Sequence, residues 1–236
     1  RLLEQTRGRE GALPLLEFAL QRIWEGLLAG KKPSITLREI GGVGGALATR
    51  AQELFDSLSA GEQVVARRLF LGWVQLGEGA RDTRRRVALK ELVSHGENEA
   101  LVREVARRFS QPGSRLVTIA LGDGGDELVE VTHEALFKHW KLLQGWIGTG
   151  REDLRFHRRL EEAAADWEQR QRPAGLLWRS PDLDLLGEFH RRAGRDMTDR
   201  QVRFWRESEQ AKRYGRLRAL LTIALAVMAV IVNHLH

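Results

Sequence analysis

Apolar side chains recur every three or four residues along most of the chain, which predicts a protein built mainly from amphipathic helices. The first clear example runs from Leu13 to Leu28, and Pro14 is tolerated there because the first helical turn does not need its missing N–H. A capping box over Thr36-Leu-Arg-Glu39 and the glycine-rich segment 41–45 lead to a second helix around residues 46–58. Residues 1–58 are therefore predicted to form a helical subdomain.

The pattern changes after Ser59, where Ser59-Ala-Gly-Glu62 predicts a capping box that opens a helix to about Gln75. Its predicted apolar face consists of Val64, Val65, Leu69, Trp73 and Val74. Shorter helices are predicted over residues 87–94 and 97–109, followed by strands at 114–120 and 127–132 around a glycine-rich turn. Three helices followed by a hairpin match the order of a winged helix. We therefore predict a winged-helix domain over residues 59–146.

Helical periodicity returns beyond the hairpin, in residues 134–146 and 152–171, and Pro173 ends the second of these helices. Ser180-Pro-Asp-Leu-Asp begins another helix, and the capping box Thr198-Asp-Arg-Gln201 begins the last one, which runs toward Tyr214. Residues 147–216 are predicted to form a C-terminal helical region. The predicted fold class is mainly α, with a helical bundle subdomain, a winged helix-turn-helix with a small β-hairpin wing, and C-terminal helices.

The last part of the chain is apolar. Residues 219–232 carry no charge and follow the basic residues Lys212, Arg213, Arg216 and Arg218. At about 1.5 Å per residue this run covers about 21 Å, less than the roughly 30 Å of a hydrocarbon core, so a buried helix is one alternative. Because the chain starts with Arg and stops in this run, we expect a piece of a longer protein. Residues 217–236 are then a truncated transmembrane helix whose basic flank is cytoplasmic.

Composition narrows the class of protein. The chain has 236 residues, 42% hydrophobic, which is enough to bury a core. Its net charge of +6 suits nucleic acid or anionic lipid, but 30% of residues are charged and most arginines lie beside acids. A salt-bridged helical surface explains most of that charge. The absence of cysteine suits the cytoplasm.

His133 is the candidate with the most specific local context. Residues 129–136 pass from a strand pattern into a helix start, so Thr132 is expected to cap the helix and His133 to lie in its first turn. Free N–H groups at a helix start favour an anion such as phosphate, and the positive helix end favours a neutral imidazole. The alternative is an early helix residue that only packs against its neighbours.

No pattern in the sequence predicts catalysis or a metal site. The glycine-rich segment 41–45 lacks the Lys-Ser/Thr pair of a phosphate loop, and the histidines do not have metal-ligand spacing. No serine lies in a nucleophile-elbow context. We therefore predict no catalytic residues and no metal ligands, and we expect this segment not to be an enzyme by itself.

Four motifs together resemble the C-terminal half of the NTPase module in the bacterial novel STAND NTPases. They are Gly11-Ala-Leu-Pro-Leu-Leu-Glu-Phe-Ala-Leu20, Gly44-Gly-Ala-Leu-Ala48, Asp82-Thr-Arg-Arg-Arg-Val87 and Val131-Thr-His-Glu-Ala-Leu-Phe-Lys-His-Trp140. The resemblance runs from near Arg1 to about Gln210. It implies a P-loop NTPase core upstream in the same chain, which would make the full-length protein an ATPase, and a WD40-type or other repeat domain downstream that acts as a sensor.

The resemblance also implies a nucleotide site. Leu13 and Pro14 match the sensor that packs on adenine and ribose, although Gly11 lies one residue farther from the proline than in the family's Gly-x-Pro. His133 matches the histidine that contacts the β-phosphate of ADP in the closed state. The implied cofactor is ADP or ATP, with Mg²⁺ held by the upstream core. Arg84 to Arg86 belong to the family pattern without an implied role, and their local alternative is a solvated basic turn that opens the next helix.

The family resemblance further implies a signalling protein that forms a homo-oligomer on activation, in some relatives in antiviral defence. We expect a cytoplasmic protein anchored to the inner membrane through its C-terminal helix. A DNA-binding winged helix is the alternative, but helix 97–109 carries as many Glu as Arg and the wing carries two acids and no base. DNA is therefore an unlikely partner. A helical linker without ligand contact is the third reading, and it predicts that His133 is replaceable.

Overall fold

The computed structural model describes residues 12–39, 41–77, 79, 81–112 and 114–234. Contacts divide the chain into two compact units. Unit 1 comprises Arg1–Val93 and Glu97–Leu154, and unit 2 comprises Ser94–Gly96 and Arg155–His236. The predicted helical subdomain and winged-helix domain both fall within unit 1, and the boundary between them at residue 58 stays a prediction.

Unit 1 begins with four helices that follow the predicted amphipathic segments. They are α1 (Ala12–Leu28), α2 (Pro33–Glu39), α3 (Gly42–Asp56) and α4 (Ala60–Gly72). The predicted cap at Thr36 is wrong, because the helix already begins at Pro33 and the Thr36 hydroxyl lies 3.5 Å from the Lys32 carbonyl within it. Proline favours this earlier start because its φ is already helical.

The capping box that opens α4 is confirmed. The backbone N–H of Ser59 donates to Glu62 Oε2 at 2.8 Å, and the Glu62 N–H donates to Ser59 Oγ at 3.4 Å. The predicted apolar face is right for Val65 and Leu69, which are buried, and wrong for Val64, which is 60% exposed. Neighbouring residues on a helix point about 100° apart, so only one of the two valines can face the core.

A small β structure follows α4. Strand β1 (Val74–Gln75) pairs antiparallel with β2 (Thr83–Arg84). Strand β3 (Val87–Ala88), a 3₁₀ turn (Leu89–Leu92) and helix α5 (Glu99–Ser110) lead to the hairpin of β4 (Val117–Leu121) and β5 (Glu127–Val131). The second sheet has the order β3-β5-β4 and is antiparallel throughout. The predicted mainly α fold with a small hairpin wing is confirmed.

The predicted helix over residues 87–94 is wrong, because its first residues pair with the wing. Val87 lies opposite Val129 of β5, and both side chains are buried. A β-branched residue that finds a strand partner favours the extended backbone over the helix. Only the 3₁₀ turn remains of the predicted helix.

The helices after the wing are divided differently from the prediction. Helix α6 (Ala135–His139) ends before Trp140, and α7 (Lys141–Gln169) then runs without a break through the segment that was predicted to separate two helices. Trp140 is 2% exposed, and its Nε1 donates to Gln52 Oε1 of α3 at 2.9 Å. Its ring also packs edge-on against Phe70 of α4, with centroids 4.9 Å apart. These tertiary contacts of Trp140 coincide with the helix break.

Unit 2 has its own core, formed by the later part of α7 with α8 (Asp182–Ala193) and α9 (Asp199–His234). Leu160, Trp167, Leu186 and Phe204 are among its buried residues. The capping box at the start of α9 is confirmed, since the Thr198 N–H donates to Gln201 Oε1 at 3.1 Å and the Gln201 N–H donates to Thr198 Oγ1 at 3.3 Å.

Helix α9 continues beyond the predicted end near Tyr214 and reaches His234. Ser208 is the last buried residue in the described part of this helix, and the apolar side chains that follow are exposed. By length and composition the Asp199–Ile231 stretch is the one helix of the described residues that could cross a membrane.

Candidate functional site around His133

His133 lies between the end of β5 and the start of α6. The predicted cap at Thr132 is wrong, because the Thr132 hydroxyl lies 3.0 Å from the Thr118 hydroxyl on β4. The Thr132 N–H also donates to the Leu116 carbonyl at 3.0 Å, so this residue belongs to the wing. Helix α6 has only five residues, and Glu134 at its N-cap makes no side-chain cap. The helix terminus is therefore not what distinguishes this place.

Burial distinguishes His133 instead. Its exposed fraction is 9%, and the pKa of its imidazole is lowered from 6.5 to about 4, mainly by burial and secondly by the charge of Arg84. The predicted neutral state is confirmed, although desolvation rather than a helix end is its main cause. No side chain or backbone group of the described residues forms a hydrogen bond with this ring. A neutral imidazole therefore keeps one N–H donor and one acceptor for another partner.

Arg84 contacts the residues on both sides of His133. Its backbone N–H donates to Glu134 Oε1 at 3.2 Å, and its Nη1 donates to the Thr132 carbonyl at 3.4 Å. Its Nε lies 3.8 Å from Glu130 Oε2 on β5. The sequence did not indicate this neighbour, because strand β2 and the end of β5 are far apart in the chain. No local spacing pattern could have found it.

Arg85 and Arg86 attach the same segment to the rest of unit 1. The Arg85 N–H donates to the Trp73 carbonyl at 2.8 Å, and the Arg86 Nη2 donates to Glu130 Oε1 at 2.5 Å. The local alternative for this triplet is right in that Arg84 and Arg86 are exposed to solvent, and wrong in that the segment leads into strand β3 rather than into a helix. The triplet holds the β2–β3 segment against β5 and the end of α4.

The four motifs of the sequence meet in one core. Ala19, Leu47, Val87 and Leu136 come from the four motifs in turn, and all of them are buried in the core of unit 1. At Gly44, a Cβ atom would lie 2.4 Å from Cδ2 of His139, so helix α3 approaches α6 closely only because this residue is glycine. The motifs thus specify one folded unit around the wing.

Comparison with protein-family models matches residues 1–175 to Novel STAND NTPase 1. The chain belongs to this family. No curated protein matches the chain significantly, and neither does any solved structure. The family match covers α1 to α7 and ends before α8, so it is shorter than the predicted extent to about Gln210.

For two residues of the expected nucleotide site in this STAND chain, the structure describes only the backbone. Leu13 and Pro14 occupy the first turn of α1, but their side chains lie outside the described residues. Their contact with adenine and ribose therefore stays a prediction. Helix α1 itself contributes Ala19 to the same core as α3 and α6.

The surface of α5 carries the arginines that a DNA-reading winged helix would need, and ion pairs occupy all three. Arg103 lies 2.6 Å from both Glu127 and Glu99, Arg107 lies 3.5 Å from Glu127, and Arg108 lies 3.1 Å from Glu62. The hydrogen bond from Arg103 contributes most to lowering the pKa of Glu127, although burial opposes it. These arginines are neutralised within the STAND chain.

Proposed function

We propose that this chain is the regulatory part of a STAND-type nucleotide-dependent signalling switch. In this proposal a P-loop core upstream holds ADP or ATP with its Mg²⁺, and Leu13, Pro14 and His133 sense the bound nucleotide. The observation that carries the proposal is the state of His133, a buried and neutral ring without a hydrogen bond from the described residues. Because this ring makes no hydrogen bond within the described residues, its N–H is available to donate to a bound phosphate.

The chemistry of the proposed contact is simple. A neutral imidazole donates one N–H to a phosphate oxygen, and such charge-assisted bonds contribute about 1.5–3 kcal/mol. Since 1.4 kcal/mol is about a factor of ten in an equilibrium constant, loss of the bond weakens binding about tenfold to a hundredfold. In this proposal the Mg²⁺ ion that accompanies the nucleotide is held by the upstream core.

The switch follows from different affinities in two states. ADP that contacts the P-loop core and His133 together favours a closed arrangement, whereas exchange for ATP removes that preference and permits homo-oligomerisation. A ligand shifts such an equilibrium only by its differential affinity for the two states. A downstream repeat domain would supply the stimulus, and antiviral defence is one output that the family resemblance suggests.

Calorimetry of ADP binding to the full-length protein tests this proposal. We expect His133→Ala to weaken ADP binding tenfold or more, because the phosphate loses its donor. His95→Ala is the control, since it removes an exposed histidine that belongs to unit 2 and not to this site. Circular dichroism must show that both variants are folded. Unchanged ADP affinity in a folded His133→Ala protein would favour the linker reading.

DNA binding by a winged helix is the alternative function, and the structure supports it less. The ion pairs of α5 leave little net charge for phosphate tracking, and the wing turn carries Asp123 and Asp126. Lys90 pairs with Asp126 at 2.6 Å, which compensates one acid of the turn without making it basic.

We also propose that α9 anchors the protein to the inner membrane, with the basic residues before the apolar run on the cytoplasmic side. Two observations support this proposal. The helix is long and apolar enough to span a bilayer, and its apolar side chains from Leu217 to Ile231 are exposed. Exposed apolar surface of this extent is unusual in water and ordinary in lipid.

A further inference from the structure

Arg84 is placed to act on the same ligand as His133. Its guanidinium donates to the carbonyl of Thr132, and its backbone N–H donates to the side chain of Glu134, so it brackets the histidine from both neighbours. We propose that Arg84 is a second anion-binding residue, which together with His133 contacts the terminal phosphate of a nucleoside diphosphate. This inference rests on the proposed function and adds a residue that sets its specificity.

The guanidinium of Arg84 has more N–H donors than its contacts within the described residues use. It carries five N–H groups, and its contacts within the described residues are the Thr132 carbonyl at 3.4 Å and Glu130 at 3.8 Å. Its side chain is 48% exposed. A phosphate could therefore reach the guanidinium from solvent without displacing a close ion pair.

Charge around Arg84 is incompletely balanced. Glu130 is bound more closely by Arg86, whose Nη2 and Nε lie 2.5 Å and 3.2 Å from Glu130 Oε1. The carboxylate of Glu134 accepts the backbone N–H of Arg84 rather than its side chain. Part of the positive charge of Arg84 therefore remains available to an anion beside His133.

His133 and Arg84 would make different contributions to phosphate recognition. His133 is held by burial and offers one neutral donor, which favours any well-placed phosphate oxygen. Arg84 adds a permanent charge and a planar pair of donors that suit a phosphate group. Because AMP lacks the terminal phosphate, the arginine contact should distinguish ADP from AMP.

The test is calorimetry of ADP and AMP binding to the full-length protein. We expect Arg84→Ala to weaken ADP binding tenfold or more and to change AMP binding less than threefold, judged by the size of one charge-assisted contact. Arg107→Ala is the control, because it removes an exposed arginine of α5 that pairs with Glu127 and not with Glu130, and it should change ADP binding less than threefold. Arg84→Lys, which keeps the charge without the fork, should fall between native and Arg84→Ala.

Folding is controlled by circular dichroism and by Arg84→Gln, whose amide can still donate to the Thr132 carbonyl while lacking the charge. A folded Arg84→Gln protein that binds ADP like Arg107→Ala overturns the inference. If Arg84→Gln leaves ADP binding unchanged while His133→Ala weakens it, the proposed function is supported and the role of Arg84 is wrong. If neither His133→Ala nor Arg84→Gln affects ADP binding, both proposals are wrong.

Discussion

Burial of a single imidazole gives this protein a residue that is ready to donate a hydrogen bond at neutral pH. His133 lies just after strand β5 with 9% of its surface exposed, and its pKa of about 4 keeps the imidazole neutral over the physiological range. A neutral buried ring is also costly to protonate, so the same residue makes the fold sensitive to acid.

Burial of His133 should make the folded protein less stable as the pH falls. As the pH falls below 6.5, the unfolded chain protonates His133, whereas the folded chain does not until about pH 4. The free energy of unfolding therefore decreases as the pH falls from 6.5 to 4, and this contribution is fully present above pH 6.5. From the two pKa values, the loss between pH 7 and pH 5 is about 2 kcal/mol. Urea unfolding of native protein and His133→Gln at both pH values measures it.

The glutamine variant cannot titrate at this position and should lack that part of the loss. His139, whose pKa is also lowered by burial and then by Lys138, titrates alike in both proteins and cancels in the difference. Equal pH dependence in the two proteins would show that His133 is not desolvated in solution.

Close approach of two helices positions the segment that carries His133. Helices α3 and α6 meet where Gly44 faces the ring of His139, and the next residue, Trp140, donates to Gln52 of α3. These two adjacent contacts therefore hold α6, which follows His133 in the chain, against α3. A change at this contact should disturb the end of β5 together with α6.

Gly44→Ala tests this contact. The new Cβ would lie 2.4 Å from the His139 ring, so we expect the free energy of unfolding to fall by about 1–3 kcal/mol, the usual range for overpacking. Adding His139→Ala to the same chain should restore most of the loss, because the clashing ring is gone. Denaturant unfolding of both variants measures the effect.

Gly145→Ala in α7 is the control for helix propensity, since nothing lies within 4 Å of its added Cβ. It should stabilise the protein by about 0.5–1 kcal/mol. A Gly44→Ala protein as stable as Gly145→Ala would mean that α3 and α6 are not in close contact.

At the scale of the whole molecule, α9 joins the core of unit 2 to an exposed apolar segment without an intervening loop. The same helix buries Val202, Phe204 and Ser208 and then presents apolar side chains on all sides. A helix that is apolar all round needs lipid or protein around it.

We therefore expect Leu225→Lys to reduce membrane association of the full-length protein, because a charge in the middle of a span is expensive, at about 2.5–3.5 kcal/mol. Gln210→Lys, at an exposed position of the same helix before the basic residues, is the matched control and should stay membrane-bound. Flotation of cell extracts on a density gradient measures the bound fraction. Equal flotation of the two variants would argue against a membrane span.

The sequence by itself determined many of the features that depend on neighbours a few positions away, although the caps predicted at Thr36 and Thr132 are wrong. The capping boxes at Ser59 and Thr198, the hairpin around residues 122–126 and the long amphipathic helices are all local, and the structure has each of them. The motifs were also sufficient to indicate the STAND family. Local hydrogen bonds and side-chain periodicity carry this information within one element.

Only the tertiary structure decided how distant segments meet. Val87 becomes a strand residue because Val129 lies opposite it, a helix breaks where Trp140 packs against Phe70, and Arg84 reaches the residues beside His133. Burial rather than a helix terminus sets the protonation state of His133. Each of these outcomes depends on partners far away in the chain, whose positions are set by packing of the whole core rather than by local spacing.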